Sequence, residues 1–234
     1  MEIRILHRLE GAREARGLAV IIDVFRAFST ACYVMANGAD RIVPVADIED
    51  AYRLKRAHPE FVLMGERGGR IQPGFDFGNS PTHVERVRFD GKTVVHTTSA
   101  GTQGIASAAD ADEVITGSFV NAEAIVRYVR LRRPRIVSLV AMGWGGIRDA
   151  DEDELCAQYL RDRLEGRPAD FPEIVRFLRE DSRTGRFLDL DDRASAPESD
   201  FDLCLALDRF SFVLRATPWE HGFMQLVKAG ETAG

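Results

Sequence analysis

Short apolar runs rich in β-branched residues alternate with amphipathic segments over the first two-thirds of the chain. The apolar runs predict strands and the amphipathic segments predict helices, because the two kinds of element space their buried residues differently. The predicted strands are residues 2–6, 18–23, 41–45, 61–64, 93–97, 114–116 and 135–141. The predicted helices of this part are residues 26–36, 48–57, 103–109 and 122–131. Successive strand–helix units predict an α/β protein with three layers, α/β/α, around a mostly parallel or mixed sheet.

The pattern changes after residue 150, where helical spacing dominates. Helices are predicted at residues 151–164 and 172–179, and residues 201–212 predict a further helix that leads into a final strand. Residues 181–200 are rich in Asp, Arg and Ser, which predicts a mobile surface connection. Neither a repeat nor a linker interrupts the sequence. We therefore expect a single domain over residues 1–234 with a helical C-terminal portion.

Composition and charge narrow the classes of partner. The 234 residues include 31 basic and 37 acidic side chains, for a formal net charge of −6, so no overall positive field attracts nucleic acid or anionic lipid. No apolar run reaches the roughly 18 residues of a membrane span, and the N-terminus lacks the pattern of a secretion signal. We expect a cytoplasmic protein that binds neither nucleic acid nor membrane. Nearly all the basic residues are arginine, which suits oxyanion binding but also follows from a GC-rich coding sequence.

Cysteine and histidine give weak signals. The three cysteines are odd in number and far apart, so we expect small core residues rather than disulfides or a metal site. Cys156 lies on an apolar helix face without a Cys-x₅-Arg loop, which disfavours it as a nucleophile. The five histidines show no zinc-ligand spacing. His96 ends a predicted strand and either assists proton transfer or, as we favour, belongs to the core or its rim.

The loops that follow the predicted strands concentrate polar and glycine residues. Ligands of open parallel sheets bind beyond the carboxyl ends of the strands, so these loops form the candidate site. Asp23 ends an apolar run and is either a helix N-cap or a metal ligand or nucleophile. Arg26 follows it in the first helical turn. Phe25 stands where a phosphatase of the haloacid-dehalogenase type needs a second Asp, which disfavours an aspartyl-phosphate mechanism.

A glycine-rich loop at residues 65–70 follows the next buried strand. There Glu66 would supply an oxygen ligand for a metal and Arg67 an anion clamp, with a solvated turn as the alternative. Residues 73–81 combine turn formers with two aromatic residues, an unusual composition for an ordinary surface loop.

Two further predicted helices begin at residues with hydroxyl groups or carboxylates. The loop at residues 97–102 suits a phosphate oxygen, but an ordinary Ser/Thr cap explains it equally well, and it lacks the pattern of a nucleotide-triphosphate loop. The acidic run at residues 151–154 is favoured by the helix dipole alone. Glu152, however, precedes the apolar Leu155 and Cys156 by three and four residues. At least one carboxylate should therefore point toward the sheet.

Seven blocks in these loops together resemble the 2-phosphosulfolactate phosphatase family, in family order from residue 18 to about residue 165. The blocks are residues 23–27, 36–39, 65–67, 74–81, 97–102, 117–122 and 152–157, which read DVFRA, ANGA, GER, GFDFGNSP, TTSAGT, GSFVNA and EDELCA. The chain departs from the family at Ala100, where an asparagine is common, so a side-chain amide near the ligand is missing.

The resemblance implies a magnesium-dependent phosphatase with its own α/β/α fold. It would convert 2-phospho-3-sulfolactate to sulfolactate and phosphate, a step in coenzyme M biosynthesis. Its partner is a small phosphorylated substrate with about four negative charges near neutral pH. The implied Mg²⁺ ligands are Asp23, Glu66, Glu152 and Asp153. The implied catalytic residues are Asp23, Arg26, Glu66 and Arg67, and the implied substrate-binding residues are Asn79, Ser80, Thr97, Thr98, Gly101 and Thr102.

Two other functions stay open at this point. A phosphatase of the same fold could act on another phosphorylated hydroxy acid, given the change at Ala100. A non-catalytic protein could bind an anionic metabolite, although a pure anion binder gains nothing from acids at three loop ends. The sequence leaves the oligomeric state open, with a homodimer as one alternative.

Overall fold

A single mixed sheet of nine strands organises the protein in this computed structural model, which describes residues 1–180 and 196–230. The strands are β1 Glu2–His7, β2 Leu18–Ile22, β3 Arg41–Pro44, β4 Val62–Gly65, β5 Thr93–Thr97, β6 Glu113–Gly117, β7 Ile136–Ala141, β8 Val213–Pro218 and β9 Met224–Ala229. Their order across the sheet is β1-β7-β2-β6-β8-β9-β3-β5-β4. All seven strands predicted from the apolar runs are present, and their ends agree with the prediction to within one residue.

The described residues also form nine α-helices. They are α1 Arg8–Glu14, α2 Ala27–Ala36, α3 Ile48–Ala57, α4 Pro81–Val84, α5 Gly101–Ser107, α6 Ala122–Arg132, α7 Asp151–Glu165, α8 Phe171–Glu180 and α9 Ser199–Cys204. Local signals explain several ends: Asp47 accepts a hydrogen bond from the Glu49 backbone N–H at the start of α3, and Gly166 ends α7 with a φ of 75°. Helices α1 and α4 were not predicted.

Helices pack against both faces of the sheet, as the burial of the β2 side chains shows. Ala19 and Ile21 pack into one core cluster, which includes α2, whereas Leu18, Val20 and Ile22 pack into another, which includes α6 and α7. Alternate side chains of a strand point to opposite faces of the sheet, so both faces of β2 are buried. The predicted three-layer α/β/α fold is confirmed. Within the described part of the chain, no helix has the length and apolarity needed to cross a membrane.

The C-terminal part differs from the prediction. The helix predicted at residues 201–212 ends at Cys204 in α9, and two strands follow instead of one. These strands, β8 and β9, form an antiparallel hairpin that inserts between β6 and β3. The hairpin is stabilised by pairing with strands distant in sequence, a tertiary effect that local periodicity does not report.

The predicted surface connection at residues 181–200 is wrong at its C-terminal end. Residues 181–195 lie outside the described residues. Ala196 is buried, and Asp200 is completely buried at the start of α9. The composition of this stretch is polar, but Asp200 precedes the buried Phe201 and Cys204 by one and four residues, which places it on the inner face of the helix.

The hairpin separates two parallel blocks that run in opposite senses along the sheet. One block contains β1, β7, β2 and β6, and the other contains β3, β5 and β4. Strand β5 lies five positions from β2 in the sheet. Helix α5, which follows β5, nevertheless packs against β2, and loops from both blocks line the same cavity.

Candidate active site

Loops from both blocks enclose one cavity of about 170 Å³, which we call the acidic cavity. It is lined by Asp23, Phe25, Arg26, Glu66, Gly68, Gly69, Asn79, Ser99, Ala100, Gly143, Trp144, Gly145, Glu152 and Asp153. All four carboxylates expected to bind metal therefore lie around one space, although they are up to 130 residues apart in sequence. Each of the four is buried.

Asp23 follows β2 and its side chain lies at the start of α2. Its Oδ1 accepts the backbone N–H of Ala27, the first residue of α2, at 3.0 Å, although the N-cap residue of that helix is Arg26 and not Asp23. Its Oδ2 faces Gly101, where an added Cβ would lie 2.9 Å from that oxygen. Gly101 therefore allows the N-terminus of α5 to approach the Asp23 carboxylate closely.

Asp153 joins α7 to two other loops. Its Oδ1 accepts the Val24 N–H at 2.7 Å, and its Oδ2 accepts the Gly143 N–H at 2.8 Å. Burial raises the pKa of Asp153 well above its usual value, and the negative charges of Asp23 and Glu152 raise it further. The two N–H groups oppose this rise only in part. The prediction that a carboxylate of this helix points toward the sheet is confirmed, and both Glu152 and Asp153 are buried.

Glu66 links the loop after β4 to the loop after β5. Its Oε1 accepts the Ser99 N–H at 2.6 Å. Its Oε2 accepts the Gly69 N–H at 2.6 Å and the Ser99 hydroxyl at 3.1 Å. A carboxylate with two oxygens can accept these bonds and still offer lone pairs to a ligand. Glu66 thus holds the glycine-rich loop in place while it lines the acidic cavity.

Arg67 is turned toward the protein instead. Its guanidinium donates to the carbonyl oxygens of Glu66 and Ala46 at 2.8 and 2.9 Å and to the Thr97 hydroxyl at 2.7 Å. Burial lowers the pKa of Arg67. Neither Arg67 nor Thr97 is among the lining residues of the acidic cavity, and their expected contacts with substrate stay predictions.

Asn79 presents an amide to the acidic cavity and is fixed by His96. The imidazole Nε2 lies 3.1 Å from Asn79 Oδ1, and because this oxygen only accepts, the neutral ring carries its proton on Nε2. Burial lowers the pKa of His96 to about 3, assisted by the positive charge of Arg67. The expectation of a core histidine is confirmed, since His96 is fully buried.

The remaining hydroxyl groups expected to bind substrate have partners within the protein. Thr98 and Thr102 exchange hydrogen bonds at the start of α5, each hydroxyl accepting the other's backbone N–H at 2.9 and 3.2 Å. The N-cap residue of α5 is Ala100, which has no side-chain capping bond, so the ordinary Ser/Thr cap that was the alternative for this loop is not formed. Ser80 donates its hydroxyl to Asp200 at 2.7 Å. Their roles toward substrate stay predictions.

Asp200 is the residue near the site that sequence reasoning missed. It accepts a hydrogen bond from Arg26 Nη1 at 2.7 Å, and both side chains are buried. Asp200 belongs to an acidic and serine-rich stretch, a composition that is typical of a surface segment. The signal that could have identified it is its position on the apolar face of α9, next to Phe201.

The described residues contain one set of three ligand atoms that all lie within 4.8 Å of one another, at His7, Asp149 and Glu154. This set lies outside the acidic cavity and is largely exposed. The four cavity carboxylates do not converge to that degree. Mg²⁺, however, is usually held by one or two carboxylates together with waters and substrate phosphate oxygens, so the donor chemistry of the cavity fits this ion.

Comparison with known proteins assigns the chain to a family. The model of the family described as 2-phosphosulpholactate phosphatase matches residues 4–217. A probable 2-phosphosulfolactate phosphatase of Symbiobacterium thermophilum is 37% identical over 188 residues, which cover 76% of this chain and 79% of the relative. One of Gloeobacter violaceus is 33% identical over 228 residues, covering 93% of this chain and 96% of the relative. The chain belongs to the 2-phosphosulfolactate phosphatase family, whose members are phosphoric monoester hydrolases.

Proposed function

We propose that this protein hydrolyses 2-phospho-3-sulfolactate to 3-sulfolactate and phosphate in the acidic cavity, with Mg²⁺ as cofactor. The reaction is a step of the coenzyme M biosynthesis type. One observation supports the proposal above the others: four buried carboxylates and a buried arginine, drawn from distant loops, line one cavity in a member of this family.

The charge of the acidic cavity supports a divalent cation. The substrate brings about four negative charges to a site that already holds four carboxylates and, among the lining residues in the described part of the chain, only Arg26 as a cation. Burial raises the pKa of Asp153, and the negative charges of Asp23 and Glu152 raise it further. Asp23, Glu152 and Asp153 would hold Mg²⁺, with Glu66 nearby. A bound ion would neutralise negative charge on the phosphate oxygens.

The protein's own groups position the substrate and move protons. Arg26 would bind phosphate oxygens through its N–H groups, and the amide Nδ2 of Asn79 would donate to a second anionic group. A carboxylate of the cavity accepts a proton from the attacking water, whose oxygen bonds to phosphorus as the bond from phosphorus to the C2 oxygen breaks. The carboxylic acid formed in this way returns the proton to the C2 oxygen, which leaves as a hydroxyl.

One observation favours a second candidate within the same reaction class. Ala100 lines the acidic cavity, so the family's usual amide at that position is absent from the site itself. Another small phosphorylated hydroxy acid is therefore the alternative substrate.

Phosphate release across a panel of phosphorylated hydroxy acids, measured with Mg²⁺ and with EDTA, tests the proposal. We expect the fastest release from 2-phospho-3-sulfolactate and its loss in EDTA. Glu152→Gln should lower the rate by about a hundredfold or more. Glu154→Gln is the matched control, because Glu154 lies on the same helix but bonds His7 outside the cavity. Faster release from another substrate would establish the alternative, and no release under either condition would favour a non-catalytic anion binder.

A further inference from the structure

Arg26 is held by a carboxylate from a distant part of the chain. Asp200 is completely buried, and its Oδ2 accepts Arg26 Nη1 at 2.7 Å. Its Oδ1 accepts the Ser80 hydroxyl at 2.7 Å and both the hydroxyl and the backbone N–H of Thr82 at 2.6 and 3.0 Å. Asp200 therefore has one oxygen fixed to the first turn of α4 and the other directed at the guanidinium.

We propose that Asp200 is a positioning residue, which holds the Arg26 guanidinium in the acidic cavity in the orientation that binds the anionic group of the substrate. The inference rests on the proposed function, in which Arg26 binds phosphate. An arginine side chain has many rotamers, and a buried carboxylate with three further donors removes that freedom before the substrate arrives. Asp200 accepts one N–H group of this guanidinium, at Nη1.

A purely structural role explains this pair less well. Buried ion pairs are often neutral or unfavourable for stability compared with apolar residues of similar volume. The Arg26–Asp200 pair lies at the wall of the acidic cavity, since Arg26 lines the cavity and Asp200 does not. The pair also joins three elements that meet at the site: the loop before α2, the start of α4 and the start of α9. Its position matches the need to orient a cation for an anionic ligand.

A comparison of single and double variants of the full chain tests the inference. Asp200→Asn keeps the shape of the side chain but removes the charge, and we expect kcat/KM to fall by about 10- to 100-fold through misplacement of Arg26. Asp202→Asn is the matched control, because Asp202 lies on the same helix and pairs with Arg179 at the surface. It should stay within about twofold of the wild type.

Non-additivity separates positioning from a structural role. If Asp200 acts through Arg26, adding Asp200→Asn to Arg26→Met should change kcat/KM by less than about twofold. Equal losses in both backgrounds would overturn the inference. Should Asp200→Asn fail to fold, Thr82→Val keeps both charges and removes one of the bonds that fix Oδ1. We expect it to lower kcat/KM in the wild-type background but not in Arg26→Met, and no effect in either would overturn the inference.

Binding of inorganic phosphate in the presence of Mg²⁺, measured by calorimetry, separates this inference from the proposed function. Weaker phosphate binding in Asp200→Asn but not in Asp202→Asn supports the inference even if the wild type hydrolyses no substrate of the panel. If the wild type hydrolyses a substrate and the two variants have equal phosphate affinity and equal kcat/KM, the inference is overturned and the proposed function stands. A wild type that neither hydrolyses a substrate nor binds phosphate overturns both.

Discussion

His96 should make the protein less stable as the pH falls from 7 to 5. The imidazole is fully buried in β5, its Nε2–H bonds Asn79 Oδ1, and its Nδ1 has no hydrogen-bond partner among the residues that the structure describes. Burial therefore lowers its pKa to about 3, whereas the unfolded chain has the ordinary value of about 6.5.

The sign of the effect follows from proton binding in the two states. Between about pH 6.5 and pH 3 the unfolded chain binds a proton at His96 that the folded protein does not, so the free energy of unfolding rises with pH across this window. The contribution is fully present above pH 6.5 and is lost progressively on acidification. With a folded pKa of about 3, the loss between pH 7 and pH 5 is about 2 kcal/mol.

Urea unfolding of the wild type and His96→Gln at pH 5, 6 and 7 measures this contribution. EDTA in every sample removes the influence of metal binding on stability. Groups other than His96 titrate alike in both proteins, so the difference between their pH dependences isolates the imidazole. We expect the wild type to lose about 2 kcal/mol more than the variant. His83→Gln, which removes an exposed imidazole, should keep the wild-type dependence. Parallel pH curves for the wild type and His96→Gln would refute the reasoning.

Two further predictions concern the close packing of the site and the cysteines. Gly101→Ala places a Cβ 2.9 Å from Asp23 Oδ2, so it should cost about 1–3 kcal/mol of stability and lower kcat/KM by about tenfold or more. Gly78→Ala is its control, since its Cβ meets its nearest neighbour at an ordinary 3.6 Å, and a similar loss there would contradict the packing argument. All three cysteines are buried, and burial raises the pKa of Cys156 well above its usual value. A disulfide reagent should therefore label them only after unfolding, and Cys156→Ala should keep its activity, whereas an inactive variant would restore the thiol as a candidate nucleophile.

The fold could be predicted from sequence where buried strands and helices carry local signals. The five consecutive buried residues of β2 and the capped, amphipathic α3 are examples. The β8–β9 hairpin could not be placed, because its position between β6 and β3 depends on pairing across the sheet. The same holds for the opposite senses of the two parallel blocks, which depend on that insertion.

The sequence predicts which residues line the candidate site better than it predicts which groups those residues contact. Asp23, Glu66, Glu152 and Asp153 were expected at one rim, and they line one cavity. Arg67 was expected to face substrate, but its guanidinium bonds carbonyl oxygens and a hydroxyl of the protein. A sequence shows that a cation follows a strand, but the direction of a long side chain depends on which acceptors the tertiary fold brings near it.

A crystal structure of the full chain grown with Mn²⁺ and inorganic phosphate tests the central claim most directly, because anomalous scattering locates manganese without ambiguity. We expect the metal inside the acidic cavity, directly bonded to an oxygen of at least one of Asp23, Glu152 and Asp153, with phosphate beside it and bonded to Arg26. Manganese found only at the exposed group of His7, Asp149 and Glu154, or phosphate bound away from the cavity, would contradict the claim that this cavity joins a divalent cation to an anionic substrate.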